Sequence, residues 1–474
     1  MSAEDKKLIA KLKKLPTDYW DFRNDDTKAY THGIHNYPAM MVCPISRNII
    51  KLVKDIRPVR AIFDPFAGSG TVLVEGMLSG IGTVAGNDIN PLALLLTEVK
   101  TTPISDRLLG QEIENLLEDI SSTRTKISKK LETVDSFIID TLHLDITNKK
   151  GWGENAPKYL KQFCINHNLD IEIPNFKNIG YWFKPRVILE LAIIKAAIER
   201  ISVRSRRNFM FVAMSECIRL VSNRRNGEFK MFRIPAEKVK AFNPNVYNEF
   251  KKILLRNYKK MHDFNSQLSN LKTHSKVSIF SEDACSLKKV PNNTYDLVIT
   301  SPPYGDSRTT VAYGEYSRLS MQWINLSQLT EKEIMGVDKS LMGGKKYKEG
   351  FHSLLNSATL EKAIKKIKKL DIERAGDVYS FYNDLDKALK SIADKTCRGG
   401  YQFWVVGNRT VKQEYLQTDV IITELAPRYG LKPVYNINRN IPNKVMPSLN
   451  SPTNKAGVLS STMTTEHIVV LRKD

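Results

Sequence analysis

Cysteine is scarce in this sequence, and the few cysteines lie far apart. The 474 residues include five cysteines, and no two of them have the C-x-x-C spacing of zinc-binding or redox motifs. The scatter also argues against a disulfide framework, which is typical of small secreted proteins. We therefore expect a protein of a reducing compartment with no metal centre.

Long apolar runs are absent as well. The most apolar stretch, residues 187–198, contains Glu190 and Lys195. It is shorter than the roughly 18 residues that indicate a membrane-spanning helix, so it predicts a buried amphipathic helix. The first residues of the chain are charged and lack the apolar core of a secretory signal. These features predict a cytoplasmic protein that does not enter a membrane.

Acidic residues are outnumbered by basic ones. Asp and Glu total 51 against 72 Lys and Arg, which gives a formal net charge of +21. An excess of this size indicates an anionic partner, and a nucleic-acid backbone is the usual one. A purely solubilising surface charge is the alternative. The lysines of residues 362–369 illustrate it, because they suit either a phosphate contact or the solvated face of an amphipathic helix.

Strand and helix signals fall into two blocks separated by a long helical region. The first block combines a strand, a glycine turn, a helix ended by Gly80 and a second strand within residues 61–100. Residues 106–274 are helical and basic. The second block begins near Val277 and contains strand signals at residues 276–284, 295–300, 401–408 and 466–473, a helix at 380–397 and a turn at Gly399–Gly400.

The first candidate site is the segment Asp64–Thr71, DPFAGSGT, where a strand turns into a helix. Its glycines allow a ligand to approach the backbone, and the helix N-terminus offers free N–H groups to a carboxylate or phosphate. Asp88 follows Asp64 by 24 residues, at the end of the next strand, where it can accept hydrogen bonds from a ribose diol. A nucleoside with a carboxylate tail fits these residues better than a pyrophosphate, because the P-loop and G-x-G-x-x-G spacings are absent.

The second candidate site is Thr300–Gly305, TSPPYG, which follows an apolar strand. Pro302 and Pro303 fix the backbone and remove two N–H donors, so acceptors remain, including the Ser301 hydroxyl. Tyr304 adds a flat ring. Acceptors beside a ring suit a planar group that carries an NH₂, such as adenine or cytosine. A proline-rich turn with a tyrosine that only packs in the core is the alternative.

Together these segments resemble the amino-methylating DNA methyltransferases, and most closely their cytosine-N4 members with an SPPY motif. DPFAGSGT looks like cofactor motif I, GNDINP (residues 86–91) like motif II and TSPPY like the catalytic motif IV. Residues 281–284 look like motif III, and residues 31–41 like the N-terminal motif X. The likeness covers roughly residues 28–100, 180–235, 277–325 and 375–474.

The resemblance implies a Rossmann-like α/β fold, with a mixed, mainly parallel sheet, helices on both faces and a helical insertion. It implies S-adenosylmethionine as cofactor and double-stranded DNA as partner. The implied cofactor-binding residues are Tyr37, Pro38, Asp64, Phe66, Gly68, Gly70, Thr71, Asp88 and Asp283. The implied catalytic residues are Ser301, Pro302, Pro303 and Tyr304.

The implied domain organisation has five parts. Residues 1–105 bind the cofactor, residues 106–274 form a basic insertion for target recognition, and residues 275–330 carry the catalytic motif. Residues 331–375 form a second insertion that contacts DNA, and residues 376–474 complete the sheet.

The resemblance also implies the reaction, the transfer of a methyl group to the N4 amine of a flipped-out cytosine in a restriction-modification context. A restriction endonuclease that acts on the same site is the implied partner. Adenine-N6 methylation, RNA base methylation and a non-catalytic DNA-binding role are the alternatives. Carbon-5 methylation is disfavoured, because no cysteine follows a proline. His32 and His35 favour packing roles over metal binding, since no further Cys or His lies close in sequence.

Overall fold

The computed structural model of the chain describes residues 1–306, 310–326, 329–345, 355–441, 449–450, 460–461 and 464–474. Its strands are β1 Ala61–Asp64, β2 Thr83–Asn87, β3 Lys276–Phe280, β4 Tyr295–Thr300, β5 Thr396–Val406, β6 Arg409–Val411, β7 Glu414–Leu416, β8 Leu431–Asn440, β9 Leu449–Asn450, β10 Ser460–Ser461 and β11 Thr465–Lys473. Parts of the predicted second insertion and of the predicted C-terminal part lie outside the described residues.

The helices cover most of the remaining described chain. They are α1 Ala3–Lys13, α2 Cys43–Lys54, α3 Thr71–Leu78, α4 Pro91–Lys100, α5 Asp106–Lys126, α6 Ser128–Ser136, α7 Glu154–Asn166, α8 Ile179–Trp182, α9 Pro185–Glu199, α10 Arg204–Val221, α11 Ala236–Ala241, α12 Val246–Ser269, α13 Tyr313–Ile324, α14 Glu331–Ser340, α15 Ala358–Leu370, α16 Ile372–Lys395 and α17 Thr418–Leu425. In the described part of the chain, no helix is both long and apolar enough to cross a membrane.

The central feature is a seven-stranded sheet with the order β3-β2-β1-β4-β5-β11-β8. The first five strands of this order run parallel to one another, whereas β11 runs antiparallel to both β5 and β8. The carboxyl ends of β1, β2 and β4 therefore meet at one edge, which is where ligands bind in open α/β sheets. The mixed, mainly parallel sheet predicted from the sequence is confirmed.

Apolar side chains alternate along the strands and fill two separate cores, one on each face of the sheet. Ile62 and Phe63, adjacent on β1, point to opposite cores, and so do Ile468 and Val469 on β11. The second core is closed by α15, α16 and α17. Helices therefore cover both faces, as the sequence indicates.

The helical region between β2 and β3 shares the first core with the sheet. Buried residues of α5, α9, α10 and α12 belong to the same continuous cluster as Ile62 and Leu297 of the strands. Helix α10 packs against α4 and α13, and α12 packs against a short 3-10 helix at Tyr30–Ile34. The region is thus packed into the same unit as the sheet.

One local expectation, a turn at Gly399–Gly400, proves wrong. Gly399 and Gly400 lie inside β5, where the strand pairing with β4 is irregular, and Gly399 has a φ of +77°. The glycines form an irregularity within β5 because β4 pairs with β5 on both sides of them, at Thr396 and at Tyr401. The predicted boundary at residue 375 falls within α16, which begins at Ile372, because Asp371 accepts the Arg374 N–H and caps the helix there.

Candidate active site

The turn after β1 is shaped by two glycines with left-handed backbone. Gly68 has a φ of +52° and Gly70 a φ of +85°. A Cβ atom on Gly70 would lie 3.0–3.1 Å from Thr97 of α4, so any other residue there would crowd that helix as well as strain the backbone. Gly70 precedes the first residue of α3, so this contact also fixes where the free N–H groups of the helix point.

Two buried carboxylates hold the turn in place. Asp64 accepts hydrogen bonds from the Phe66 N–H at 3.0 Å and from the Thr300 hydroxyl at 2.8 Å, and so joins the ends of β1 and β4. Asp88 accepts from the N–H groups of Gly68 at 2.9 Å and Asn90 at 2.8 Å. Burial raises the pKa of Asp64 to about 7 and the pKa of Asp88 to about 6.

A cavity with an empty volume of about 910 Å³ opens beside this turn and is called the larger cavity. Most of the sequence-predicted cofactor residues line it, together with two catalytic candidates: Tyr37, Pro38, Asp64, Phe66, Gly68, Thr71, Asp88, Asp283, Ser301 and Pro303. Gly70 does not line the larger cavity, and its role is to let the turn pack against Thr97 of α4.

Tyr37 forms a wall of the larger cavity. Its ring stacks on Tyr313 with 6.0 Å between ring centres, and it meets Tyr316 edge-on at 5.8 Å. Burial raises the pKa of Tyr37, so the phenol stays neutral. The wall joins the N-terminal segment to α13, two parts of the chain that are distant in sequence.

A second cavity of about 590 Å³ adjoins the first and is called the smaller cavity. Ser301, Pro302, Pro303 and Tyr304 line it, and Ser301 and Pro303 also line the larger cavity. The tetrapeptide therefore separates the two cavities. The other residues that line both are Ala39, Met40, Met41 and Tyr313.

The polar end of the smaller cavity is a chain of hydrogen bonds. The Ser301 hydroxyl donates to the Tyr304 oxygen at 3.2 Å, and the Tyr304 hydroxyl donates to Glu466 Oε1 at 3.0 Å. Glu466 forms an ion pair with Arg439, whose Nε donates to the Trp20 carbonyl at 2.9 Å. We call Ser301, Tyr304 and Glu466 the hydroxyl chain.

Sequence reasoning missed several residues of these cavities. Glu466 and Arg439 lie on β11 and β8, far from the recognised motifs, and Tyr313 lies on α13, soon after the TSPPYG segment. The sequence contains only a weak signal for Glu466. Glu466 is a carboxylate at the start of an otherwise apolar strand, and such a residue is equally common at a solvent-exposed strand end.

The two N-terminal histidines form contacts within the fold. His32 Nε2 lies 2.8 Å from Glu75 Oε1, and His35 Nε2 lies 3.0 Å from the Ser215 hydroxyl. Cys43 lies close to His32 and Glu75, but Arg47 binds both oxygens of Glu75, at 3.0 and 2.9 Å. The Arg47 guanidinium thus binds both oxygens of the carboxylate and places a positive charge beside this cluster.

Comparison with known proteins identifies the family. The chain is similar to the type II methyltransferase M.MvaI of Kocuria varians, with 39% identity over 484 residues, 100% of this chain and 98% of that protein. M.MjaII of Methanocaldococcus jannaschii, also a type II methyltransferase, is 24% identical over 71% of each chain. M.BsoBI of Geobacillus stearothermophilus, a third, is 22% identical over 79% of this chain and 73% of its own.

Other comparisons add little. No protein-family model matches the chain. The solved structure of the rRNA methyltransferase aviRa from Streptomyces viridochromogenes aligns with 93% of this chain and 88% of its own, at 10% identity and a TM-score of 0.28. A likeness at this score carries no argument about fold or function.

The full-length relationship agrees with the sheet order and with the position of the larger cavity at the carboxyl ends of the strands. Identity of 39% across the whole chain leaves no separate region unaccounted for. The chain belongs to the type II DNA methyltransferases, enzymes of Rossmann-like fold that take their methyl group from S-adenosylmethionine.

Proposed function

We propose that the protein methylates the N4 amine of cytosine in DNA, with S-adenosylmethionine in the larger cavity and the flipped-out base in the smaller one. The observation that carries the proposal is the shared wall. Ser301 and Pro303 line both cavities, so a methyl group and an amine can meet at that wall. Flipping is required because the amine is otherwise paired inside the duplex.

The larger cavity has the donors and acceptors that the cofactor needs. Asp88 and Asp283 both line it, and in this proposal Asp88 accepts hydrogen bonds from the ribose hydroxyls and Asp283 from the adenine amine. The Ser69 hydroxyl is buried in the lining and has no hydrogen-bond partner among the described residues. Together with Thr71 at the start of α3, it suits the methionine carboxylate.

The protein residues act mainly by position and charge. Bound S-adenosylmethionine supplies a methyl group on a positively charged sulfur. Ser301 and the Pro302 carbonyl hold the amine by accepting its N–H bonds, and Tyr304 provides a flat surface for the base. Fixed acceptors that face the developing positive charge on the nitrogen lower the barrier without rearranging during the reaction.

The choice of cytosine rests on Ser301. Enzymes that this chain resembles and that carry SPPY act mostly on cytosine, whereas those with Asp or Asn at the first position act mostly on adenine. A hydroxyl is a weaker acceptor than a carboxylate, which suits an amine of different polarity. Adenine N6 is the second candidate, because both bases present an amine beside a flat ring.

DNA contact is proposed for the helical region at residues 106–274. Some of its basic residues are already used inside the protein, since Arg206 pairs with Glu112 at 3.1 Å and Arg219 is only 8% exposed. The loop at residues 222–235 is a better candidate. Its Phe229 is 51% exposed and lies 6.1 Å from the ring of Tyr316, on the helix that begins at the two cavities.

The test is mass spectrometry of nucleosides from unmodified DNA incubated with the protein and S-adenosylmethionine. N4-methylcytosine is the expected product. N6-methyladenine alone would overturn the assignment of the base, and modified nucleosides from RNA alone would overturn the assignment of DNA. Protection of the product from a restriction endonuclease that cuts the same site tests the proposed restriction-modification context.

A further inference from the structure

The direction of the hydrogen bonds in the hydroxyl chain is fixed at one end. A carboxylate can only accept hydrogen bonds, so the Tyr304 hydroxyl must point its hydrogen at Glu466. The Tyr304 oxygen is then left as an acceptor for the Ser301 hydroxyl at 3.2 Å. The hydrogen of Ser301 is thereby committed, and its lone pairs are left for a ligand.

Neighbouring groups hold Glu466 in place. Its ion-pair partner Arg439 is 4% exposed, and Glu466 itself is 14% exposed. Next to Arg439, the Asn440 N–H donates to Asp21 Oδ1 at 2.9 Å, so the N-terminal segment fastens the end of β8. Burial raises the pKa of Tyr304 well above its ordinary value, which keeps the phenol protonated and able to donate.

This arrangement removes an ambiguity that a serine normally has. A free hydroxyl both donates and accepts, and a Ser301 that donates to the base would favour a ring nitrogen or carbonyl over an amine. With its hydrogen turned to Tyr304, Ser301 can only accept. The amine of the base, which has hydrogens to give, is then the favoured contact.

We propose that Glu466 is a positioning residue that makes Ser301 a hydrogen-bond acceptor for the target amine, acting through Tyr304. The carboxylate also faces, through two hydroxyls, the nitrogen that becomes positive during methyl transfer, and so stabilises that charge. The proposal rests on the proposed function, but holds for either a cytosine or an adenine amine.

The test compares Tyr304→Phe, Glu466→Gln and the double variant in single-turnover methylation of DNA. Tyr304→Phe keeps the ring and removes only the hydroxyl that links Ser301 to Glu466. Glu466→Gln can turn its NH₂ to Tyr304 and reverse the chain. Each single variant should slow methyl transfer by about 10- to 100-fold, the worth of one hydrogen bond to a charged group. The double variant should be no slower than the worse single variant, because both changes break the same chain.

Binding measurements separate positioning from a structural role. The affinities of the variants for S-adenosylmethionine and for DNA should stay within about twofold of the wild-type values, because the rate and not the binding depends on the hydroxyl direction. Tyr415→Phe and Glu414→Gln, on the β6–β7 hairpin, are the matched controls and should leave the rate unchanged.

The outcomes distinguish this inference from the function on which it rests. A wild-type protein that modifies no base in DNA would overturn both. A wild-type protein that methylates DNA while Tyr304→Phe keeps the full rate would overturn the inference alone. Multiplicative losses in the double variant would also overturn it, since the two residues would then act separately. Tyr304→Phe decides the matter if Glu466→Gln fails to fold.

Discussion

The two adjoining cavities are built in different ways. The glycine turn of the larger one belongs to a single strand-turn-helix unit, where Asp64 and Asp88 accept backbone N–H groups over short sequence distances. The smaller one is assembled from parts of the chain that lie far apart, and its polar end depends on the ion pair of Arg439 and Glu466. Local backbone geometry secures the turn of the larger cavity, and long-range side-chain contacts secure the polar end of the smaller one.

This contrast predicts that the two cavities can be damaged separately. A change in the turn after β1 should weaken the binding of the cofactor and leave the smaller cavity intact. A change at the junction of β8 and β11 should disturb the smaller cavity and leave the binding of the cofactor intact.

The largest effect is expected for Arg439→Met, which leaves the Glu466 carboxylate buried without its partner. The free energy of unfolding should fall by about 3–5 kcal/mol, the usual cost of breaking a buried ion pair. Urea unfolding measures it. Arg200→Met is the control, because Arg200 and Asp119 are 61% and 46% exposed and an exposed pair contributes about 0–1 kcal/mol. If Arg439→Met and Arg200→Met lowered the free energy of unfolding equally, the pair of Arg439 and Glu466 would have no special role.

Asp64→Asn should change the pH dependence of stability. The pKa of Asp64 in the folded state, about 7, lies above its unfolded value, so its contribution is complete at acid pH and is lost as the pH rises through about 7. The variant should therefore gain stability relative to the wild type between about pH 4 and about pH 8, by on the order of a few kcal/mol.

Asp55→Asn is the control, because Asp55 changes the stability with pH in the opposite direction to Asp64. The hydrogen bond from Lys11 lowers the pKa of the exposed Asp55, so the stability that Asp55 contributes is lost as the pH falls. Urea unfolding across the pH range measures both. A difference between Asp64→Asn and the wild type that does not vary with pH would refute the raised pKa.

Asp88→Ala should weaken cofactor binding by about 10- to 100-fold, because it removes the proposed ribose acceptor and frees the Gly68 N–H. Calorimetry with S-adenosylmethionine measures the effect, and Asp394→Ala, at an exposed position of α16, serves as control. Unchanged affinity in a folded Asp88→Ala protein would remove Asp88 from the cofactor site.

The smallest effect is expected from a pair of glycine variants in the same unit. Gly80→Ala adds a Cβ with no atom within 4 Å, so only its φ of +68° is strained, at a cost of about 1–2 kcal/mol. Gly70→Ala adds the close contact with Thr97 and should also weaken cofactor binding. Thermal unfolding and calorimetry separate the two effects. Weakened binding in Gly80→Ala would show that strain alone disturbs the larger cavity.

The sequence predicted the first strand-turn-helix unit because its signals are local. The apolar run of β1, the glycines and Asp88 lie within 28 residues of one another. The same reasoning failed at Gly399–Gly400, because β4 pairs with β5 on both sides of the glycines and keeps them within a strand. Pairing with distant partners outweighed the local preference for a turn.

The hydroxyl chain could not be predicted from the sequence. Tyr304 and Glu466 lie 162 residues apart, and nothing in either segment points to the other. The contact exists because β11 lies next to β5 and because β8 places Arg439 beside it. Only the order of strands in the sheet brings these side chains together.

The position of β11 between β5 and β8 has a consequence for how the protein is made. β11 is synthesised after both of its neighbours, and the sheet cannot join β8 to β5 until it arrives. A nascent chain that has emerged as far as β8 contains every residue of the turn beside the larger cavity, but Ser301 and Tyr304 still lack Glu466. The ability to bind the cofactor should therefore precede, during synthesis, the ability to modify DNA.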